Sequence, residues 1–491
     1  MPEKPNLVFI FTDEQRFDTL SCYGNSRIQT PRLNRLAGES LVFENAYVTQ
    51  PVCTPSRASI LAGLYPHTTG CTANNIPLRT ESRTIAEMVS RDYLCAYYGK
   101  WHLGDEVIAQ HGFEKWVSIE DAYRRFYSRR EYLDVLSDYH HFLVKSGFTP
   151  GAENCGAKIF GRTAAARMPE PFTKAAFLGR EAARFVRENR DRPFVLYVNF
   201  LEPHMPFTGP FDETYDPQQL PVGPSFLKKP PRNASLYHRL MADAYMHSKF
   251  EGHDLRTEAG WRKLRAQYWG LVTLVDGAVG EIMRALHEST LDDRTIVVFA
   301  SDHGDMMGDH GILAKCVMYE EAVKVPLIIR VPWISRSARS IKGRVSHIDL
   351  VATLLELMGE PIPPGLQGES RAAVLRGEAT LKDNDVFIEW NGKDGFAAAG
   401  RREETQSEIS EEDAARIAGQ PWRTVISADG WKLNLSSVDH SELYDLNADP
   451  LECSNLYEHP RHKDRVQDLR ARIHYWQART ADKDCRIDGG G

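Results

Sequence analysis

Cys53-Thr54-Pro55-Ser56-Arg57 sets a thiol two residues before a proline and four before an arginine, ahead of the largely apolar run Ala58 to Leu64. Proline suits the first helical position, where a missing N–H costs nothing. The pattern therefore predicts a helix opening at Pro55, with Cys53 just before its N-terminus. Unpaired N–H groups and the helix dipole stabilise an anion there. Elsewhere the chain carries Asp13-Glu14, Lys100 and His102, His204, Asp302-His303 and Lys315. Hard oxygen ligands, imidazole, several cations and a nucleophile are the parts needed for metal-assisted hydrolysis of an anionic ester. Singly, each has a plainer reading: a cysteine as a small buried hydrophobe, strand-end acids meeting solvent, a solvated lysine. Their chemistry depends on being gathered.

The elements that gather them are four strands. Asn6 to Phe11, Tyr93 to Tyr98, Phe194 to Phe200 and Thr295 to Ala300 are β-rich, mostly apolar runs, as expected of strands buried on both faces of a parallel sheet. They empty into Asp13-Glu14, Lys100 and His102, His204, and Asp302-His303. Open α/β sheets bind ligands at the carboxyl ends of their strands. On extended chain Lys100 and His102, at alternate positions, point the same way. Helices are predicted from Ser82 to Val89, Lys174 to Asn189, Trp261 to Ser289, Val317 to Val323 and Ser346 to Met358. Residues 118 to 173 and 207 to 260 lack periodicity and read as loops over the rim. Past Gly365 short strands follow one another and end in a helix from Lys463 to Arg479, which predicts a small antiparallel sheet. The charged run from Arg401 to Asp413 reads as a solvated loop. The expected division is a catalytic domain over 1–375 and a smaller one over 376–491.

The 491 residues are 42% hydrophobic and 26% charged, an ordinary globular balance that excludes a disordered or fibrous chain. A net charge of −7 offers no basic footprint for nucleic acid or an anionic membrane. Eight scattered cysteines with no Cys-x-x-Cys pair argue against a disulfide framework and a zinc module. The opening apolar run, Leu7 to Phe11, is too short for a signal-peptide core, and no stretch reaches membrane-spanning length. A soluble, cytoplasmic protein is expected, unless a targeting segment is missing from the sequence.

Taken jointly, the motifs resemble those of the sulfatases, within the alkaline phosphatase superfamily, over nearly the whole chain. That family shows an N-terminal strand ending in paired acids, Cys-x-Pro-Ser-Arg, Gly-Lys-Trp-His-x-Gly, Pro-His after a strand, and Ser-Asp-His-Gly with a lysine thirteen residues past its Asp. Here these are Asp13/Glu14, Cys53 to Arg57, Gly99 to Gly104, Pro203-His204, Ser301 to Gly304 and Lys315. The stretch Glu442 to Leu446, with Asp449-Pro450 and Asn455-Leu456, resembles the family's small domain. The resemblance implies an α/β fold: a large mixed, mostly parallel sheet sandwiched by helices, alkaline phosphatase-like, with a smaller C-terminal antiparallel α+β domain.

It also implies a sulfuric ester hydrolase acting on a small anionic sulfate ester of a sugar or aryl alcohol. Cys53 would be converted to formylglycine by a transient maturation enzyme, and the aldehyde hydrate would be the nucleophile. Asp13, Glu14, Asp302, His303 and the modified Cys53 would hold one divalent cation. Oxygen-rich ligation favours Ca2+, and His303 admits Mn2+ or Mg2+. Arg57 would hold the hydrate, Lys100 and Lys315 would clamp the sulfate, and His204, with Lys315, would protonate the leaving alcohol. His102 would take the proton from the second hydroxyl. Two positions depart from the commonest pattern: Glu14 stands where many members have Asp, and His303 where several have Asn. Asn74 matches by its spacing a substrate-contacting asparagine of the phosphonate monoester hydrolases, whereas Lys100 is a residue those enzymes tend to lack. A phosphonate monoester or phosphodiester hydrolase is the alternative enzyme, and a silent sulfate- or glycan-binding protein with unconverted Cys53 the alternative of another class.

Overall fold

The computed structural model describes residues 3–392 and 410–483. One nine-stranded sheet holds β1 (Asn6–Asp13), β2 (Leu41–Tyr47), β3 (Leu94–Gly99), β4 (Lys115–Val117), β5 (Phe194–Pro203), β6 (Thr295–Ser301), β7 (Lys324–Val325), β8 (Leu327–Arg330) and β9 (Arg339–Ser346). Its order runs β4-β3-β5-β1-β6-β8-β2, with β7 and β9 also paired to β2. β4, β3, β5, β1 and β6 are mutually parallel, while β8 joins antiparallel. The sheet is thus mixed and mostly parallel.

β1, β5 and β6 are buried along their whole length, which is why they read as apolar runs. Phe9 of β1 stacks face to face on Tyr197 of β5 at 4.7 Å. The helices over and around the sheet include α1 (Cys53–Ala62), α2 (Lys174–Glu188), α3 (Leu236–Met246), α4 (Glu258–Glu288) and α5 (Leu350–Met358). α2 packs along α4, both against β5, while α1 packs on α5.

A four-stranded antiparallel sheet follows, of β10 (Val386–Trp390), β11 (Trp422–Ile426), β12 (Trp431–Ser436) and β13 (Glu442–Asp445). The C-terminal helix α6 (Lys463–Thr480) lays Val466, Leu469 and Ile473 on Val425, Leu433 and Leu443. Buried polar links tie this sheet to the large one. The Glu389 N–H donates to Thr49 C=O at 2.7 Å, and Lys432 pairs with Glu320 at 3.1 Å and Glu452 at 2.8 Å. Among the described residues, no helix is long and apolar enough to cross a membrane.

Several local expectations need correction. α1 opens at Cys53, not Pro55: Ser56 N–H already donates to Val52 C=O at 3.0 Å. Proline is tolerated because the whole first turn lacks N–H partners. The predicted helix from Ser82 shrinks to Ile85–Met88, opened by a Thr84/Glu87 capping box, and the one from Val317 to Glu320–Val323. α3 lies in rim sequence read as loop, although most of its residues are apolar and seven of its eleven are buried. Of the charged run, residues 401–409 lie outside the described residues, and Glu411 opens a helix to Ala418.

Candidate active site

Strand register brings the polar residues together. Thr12 of β1 pairs with Ser301 of β6, so Asp13 and Asp302 leave the sheet side by side. Asp13 pairs with Pro203 of β5, and Gly99 of β3 with Asn199. His204, Lys100 and both aspartates therefore emerge at one edge, and the N-terminus of α1 meets them there. Cys53 is 2% exposed, with its Sγ 3.6 Å from Asp13 Oδ1 and 3.3 Å from His303 Nε2.

Arg57, one turn along α1, ties the group together. Its Nε donates to Asp302 Oδ2 at 2.9 Å and its Nη2 to Asp13 Oδ2 at 3.0 Å. Its Nη1 donates to Lys100 C=O at 2.7 Å and to Asn199 Oδ1 at 3.2 Å. Lys100 Nζ is also ion-paired to Asp13 Oδ2. Burial alone would raise the Asp13 carboxyl, but Lys100, His204, Arg57 and Lys315 hold it well below the usual carboxylate range. Burial first, and Asp13 second, push the Cys53 thiol up, so the unmodified side chain is a protonated thiol and a poor nucleophile.

Donor atoms of Asp13, Cys53, Asp302 and His303 lie within 4.8 Å of one another, all buried. The His303 Nδ1–H donates to the Gly304 carbonyl at 2.9 Å, leaving Nε2 as a lone pair facing the cluster. A ligating imidazole is oriented in this way by a partner on its other nitrogen. Two carboxylates, an imidazole and the residue-53 side chain fit a divalent cation.

Glu14 is brought elsewhere. At φ 70°, its carboxylate forms a second group with Asp13 and His204, 3.1 Å from Lys315 Nζ and 3.4 Å from His204 Nε2. Burial pushes Glu14 well up against the pull of Lys315. For Lys315, burial works against the charge, but Cys53, Glu14 and Asp13 hold it well above its usual value. His204 shares its Nδ1–H with its neighbour's carbonyl, Met205 C=O, at 2.7 Å. Burial and Lys315 keep its ring well below 6.5 and so neutral.

The alternation argument for Lys100 and His102 fails. His102 has φ 56°, so the chain turns there, and both side chains meet through Tyr123. The His102 ring stacks on Tyr123 at 4.0 Å, and Lys100 Nζ lies 5.6 Å from the centre of the Tyr123 ring. Asn74 Oδ1 accepts the Thr54 N–H at 3.2 Å, so it supports the first turn of α1.

Sequence reading passed over Tyr123, Arg162, Asn75, Glu106 and Asn199. Arg162 lies 5.0 Å from the Tyr123 ring and pairs with Glu120, which also holds Lys174 at 2.7 Å. Tyr123 and Arg162 come from rim segments with no motif. Asn199 did leave a signal: it is a lone amide inside an otherwise apolar strand run. A separate cavity of about 710 Å³, lined by Arg16, Phe17, Tyr47, Arg265, Asp309 and Glu321 among others, contains none of the residues gathered around Cys53.

A mostly parallel sheet whose strand ends surround a cation-rich acidic cluster at a helix N-terminus defines a class of anionic-ester hydrolases. The sulfatase family model matches residues 5–360, and the chain belongs to the sulfatase family, enzymes that hydrolyse sulfuric esters. It is 30% identical over 480 residues to the uncharacterized sulfatase YidJ of Escherichia coli (strain K12), covering 96% of this chain and 86% of that one. It is 26% identical over 510 residues to the multifunctional alkaline phosphatase superfamily protein PehA of Trinickia caryophylli, covering 98% and 96%. Among solved structures, the phosphonate monoester hydrolase SpPMH of Silicibacter pomeroyi superposes with a TM-score of 0.76 at 21% identity, covering 99% of this chain and 97% of that one. That likeness shows the shared fold.

Proposed function

We propose that this sulfatase cleaves a sulfate monoester of a sugar or aryl alcohol, using a formylglycine hydrate made from Cys53 by a maturation enzyme. The observation that carries this reading is the buried cluster of Asp13, Cys53, Asp302 and His303, with Arg57, Lys100 and Lys315 around it. Asp13, Asp302, His303 and modified residue 53 hold one divalent cation, Ca2+ in preference to Mn2+ or Mg2+. Glu14 is the fifth candidate ligand, linking that shell to Lys315 and His204. The cation would make a neighbouring hydroxyl more acidic and offset negative charge at sulfur.

The chain's own groups do the rest. Arg57 fixes the residue-53 side chain between the two aspartates. Lys100 and Lys315 bind sulfate oxygens and stabilise the charge that builds on them. Asn74, at the α1 first turn, borders the substrate. One oxygen of the residue-53 hydrate, its proton lost, bonds to sulfur as the S–O bond to the alcohol breaks. The leaving oxygen takes its proton from His204, whose ring is neutral at rest and must first be charged, aided by the Lys315 ammonium. His102 then takes the proton of the remaining hydroxyl while its C=O re-forms and the C–O bond to sulfate breaks, releasing sulfate. Water restores the hydrate.

A phosphonate monoester or phosphodiester hydrolase is the competing reading, supported by the fold shared with a phosphonate monoester hydrolase; Lys100, held in the site by Asp13, weighs toward sulfate. We further place the protein in the cytoplasm, a reading supported by the seven described cysteines having no disulfide among them. We divide the chain into 1–375 and 376–491, since the antiparallel sheet opens at Val386.

Peptide mass spectrometry of the Cys53 segment, with p-nitrophenyl sulfate and phenylphosphonate ester assays on the same sample, tests the function. A mass lowered by the thiol-to-aldehyde change, with sulfate turnover lost in Cys53→Ala, is expected. Aldehyde with phosphonate turnover alone would favour the competing reading. An unmodified thiol after co-expression with a maturase would overturn both.

A further inference from the structure

We infer that Asn75 is a positioning residue that selects the reactive nitrogen of His102: Nε2–H is donated to Asn75 Oδ1, and Nδ1 is the atom that accepts the proton. This rests on the reading of His102 as the base that expels sulfate. His102 Nε2 lies 3.1 Å from Asn75 Oδ1. Nδ1 is buried and has no hydrogen-bond partner among the described residues. A proton on Nδ1 would be a buried donor without an acceptor, which is costly. A lone pair on Nδ1 carries a smaller penalty and is what a base must present. The Nε2–H tautomer therefore follows from the partners, and with it the orientation of the Asn75 amide.

Asn75 is itself fixed. It sits at φ 62°, and its N–H donates to Thr54 Oγ1 at 3.2 Å. The same hydroxyl donates to His102 C=O at 2.7 Å. Asn75, Thr54 and His102 thus close a ring of hydrogen bonds anchored one residue from Cys53. Glu106 pins the backbone from the other side, accepting the consecutive N–H groups of Trp101 at 3.0 Å and His102 at 2.6 Å. Tyr123 covers the ring face. Turn, ring plane and tautomer each have their own holder.

The charged groups facing His102 are Lys100, Arg57 and Arg162, which oppose its protonation, and Asp13, which favours it. Burial and the cations prevail, and its pKa lies well below 6.5. The ring is neutral in the resting site and free to accept a proton.

The test reads the tautomer and the reaction separately. Ring-nitrogen NMR on ¹⁵N-histidine-labelled full-length protein, assigned with His102→Gln, should show Nε2 protonated and Nδ1 bare at neutral pH. Asn75→Gly, which tolerates the positive φ, should mix the tautomers and lower kcat about tenfold with KM nearly unchanged. Asn75→Asp should keep the Nε2–H tautomer, largely restore kcat and raise the pH of the acid limb. A protonated Nδ1 in the parent protein, or Asn75→Gly with unchanged tautomer and pH profile, would overturn the inference. A correct tautomer in a protein that hydrolyses no sulfate ester would instead remove the functional reading and leave the placement of His102 standing.

Discussion

Arg57 shows how one residue is both structure and chemistry. Its guanidinium is wholly buried and bridges Asp13 and Asp302, which are also wholly buried. Removing one member of such a group strands the others' charge at a cost of about 3–5 kcal/mol. Arg57→Ala should therefore lose sulfate turnover and also lower stability by about that amount, read from urea unfolding in the presence of chelator. Asp302→Asn separates the two roles. The amide keeps the shape and one oxygen of the carboxylate but loses its charge, so cation content by elemental analysis should fall while the fold persists. An unchanged cation content would move the binding site away from the Asp13/Asp302/His303 cluster.

At the scale of elements, the site is a consequence of strand register. Lys100 and His102 reach it because β3 stops at Gly99, whose φ is 112° and where an added Cβ would lie 2.0 Å from the Asn199 carbonyl oxygen. Only glycine allows both the turn and that approach to β5. Gly99→Ala should cost several kcal/mol by strain and displaced pairing, seen as a lower melting temperature and loss of activity together. Full activity at the parent's melting temperature would show that the turn does not place Lys100. The apolar runs announced β1, β3, β5 and β6 because both faces of each must be covered. The rim did not announce itself: the segments bearing Tyr123 and Arg162 are half solvated, so no apolar period marks them, and α3 is buried over most of its length without a narrow apolar stripe.

For the whole molecule, the small sheet is joined to the large one by buried charge as well as apolar contact. His67, just beyond α1, donates from Nδ1 to Glu389 Oε1 of β10 at 2.6 Å, with its Nε2 3.1 Å from Thr480 C=O at the end of α6. Burial opposes its charge, but the hydrogen bond and charge of Glu389 hold its pKa above 6.5. A raised folded pKa gives stability that is complete below the unfolded value and fades as pH rises through the folded one. His67→Gln should therefore cost more stability at about pH 5.5 than at about pH 9, measured by denaturant midpoints. Equal costs at both would mean that His67 is neutral in the joint.

The four buried strands, the acidic and basic residues at their ends, the helix at Cys53 and the separate antiparallel sheet were determined by the sequence itself, because burial on two faces, cap and turn chemistry and residue type are local properties. Only the tertiary structure decided that Glu14 reaches Lys315 and His204 as well as Asp13, that Asn74 braces α1 while its neighbour Asn75 holds His102, and that Tyr123 lies between Lys100 and His102. Each depends on which chains meet at the sheet edge and on backbone turns at Glu14, Asn75 and His102 with positive φ. Asp302 holds the turn at Glu14 and Thr54 those at Asn75 and His102, all distant in sequence, with only Glu106 near His102 lending local support.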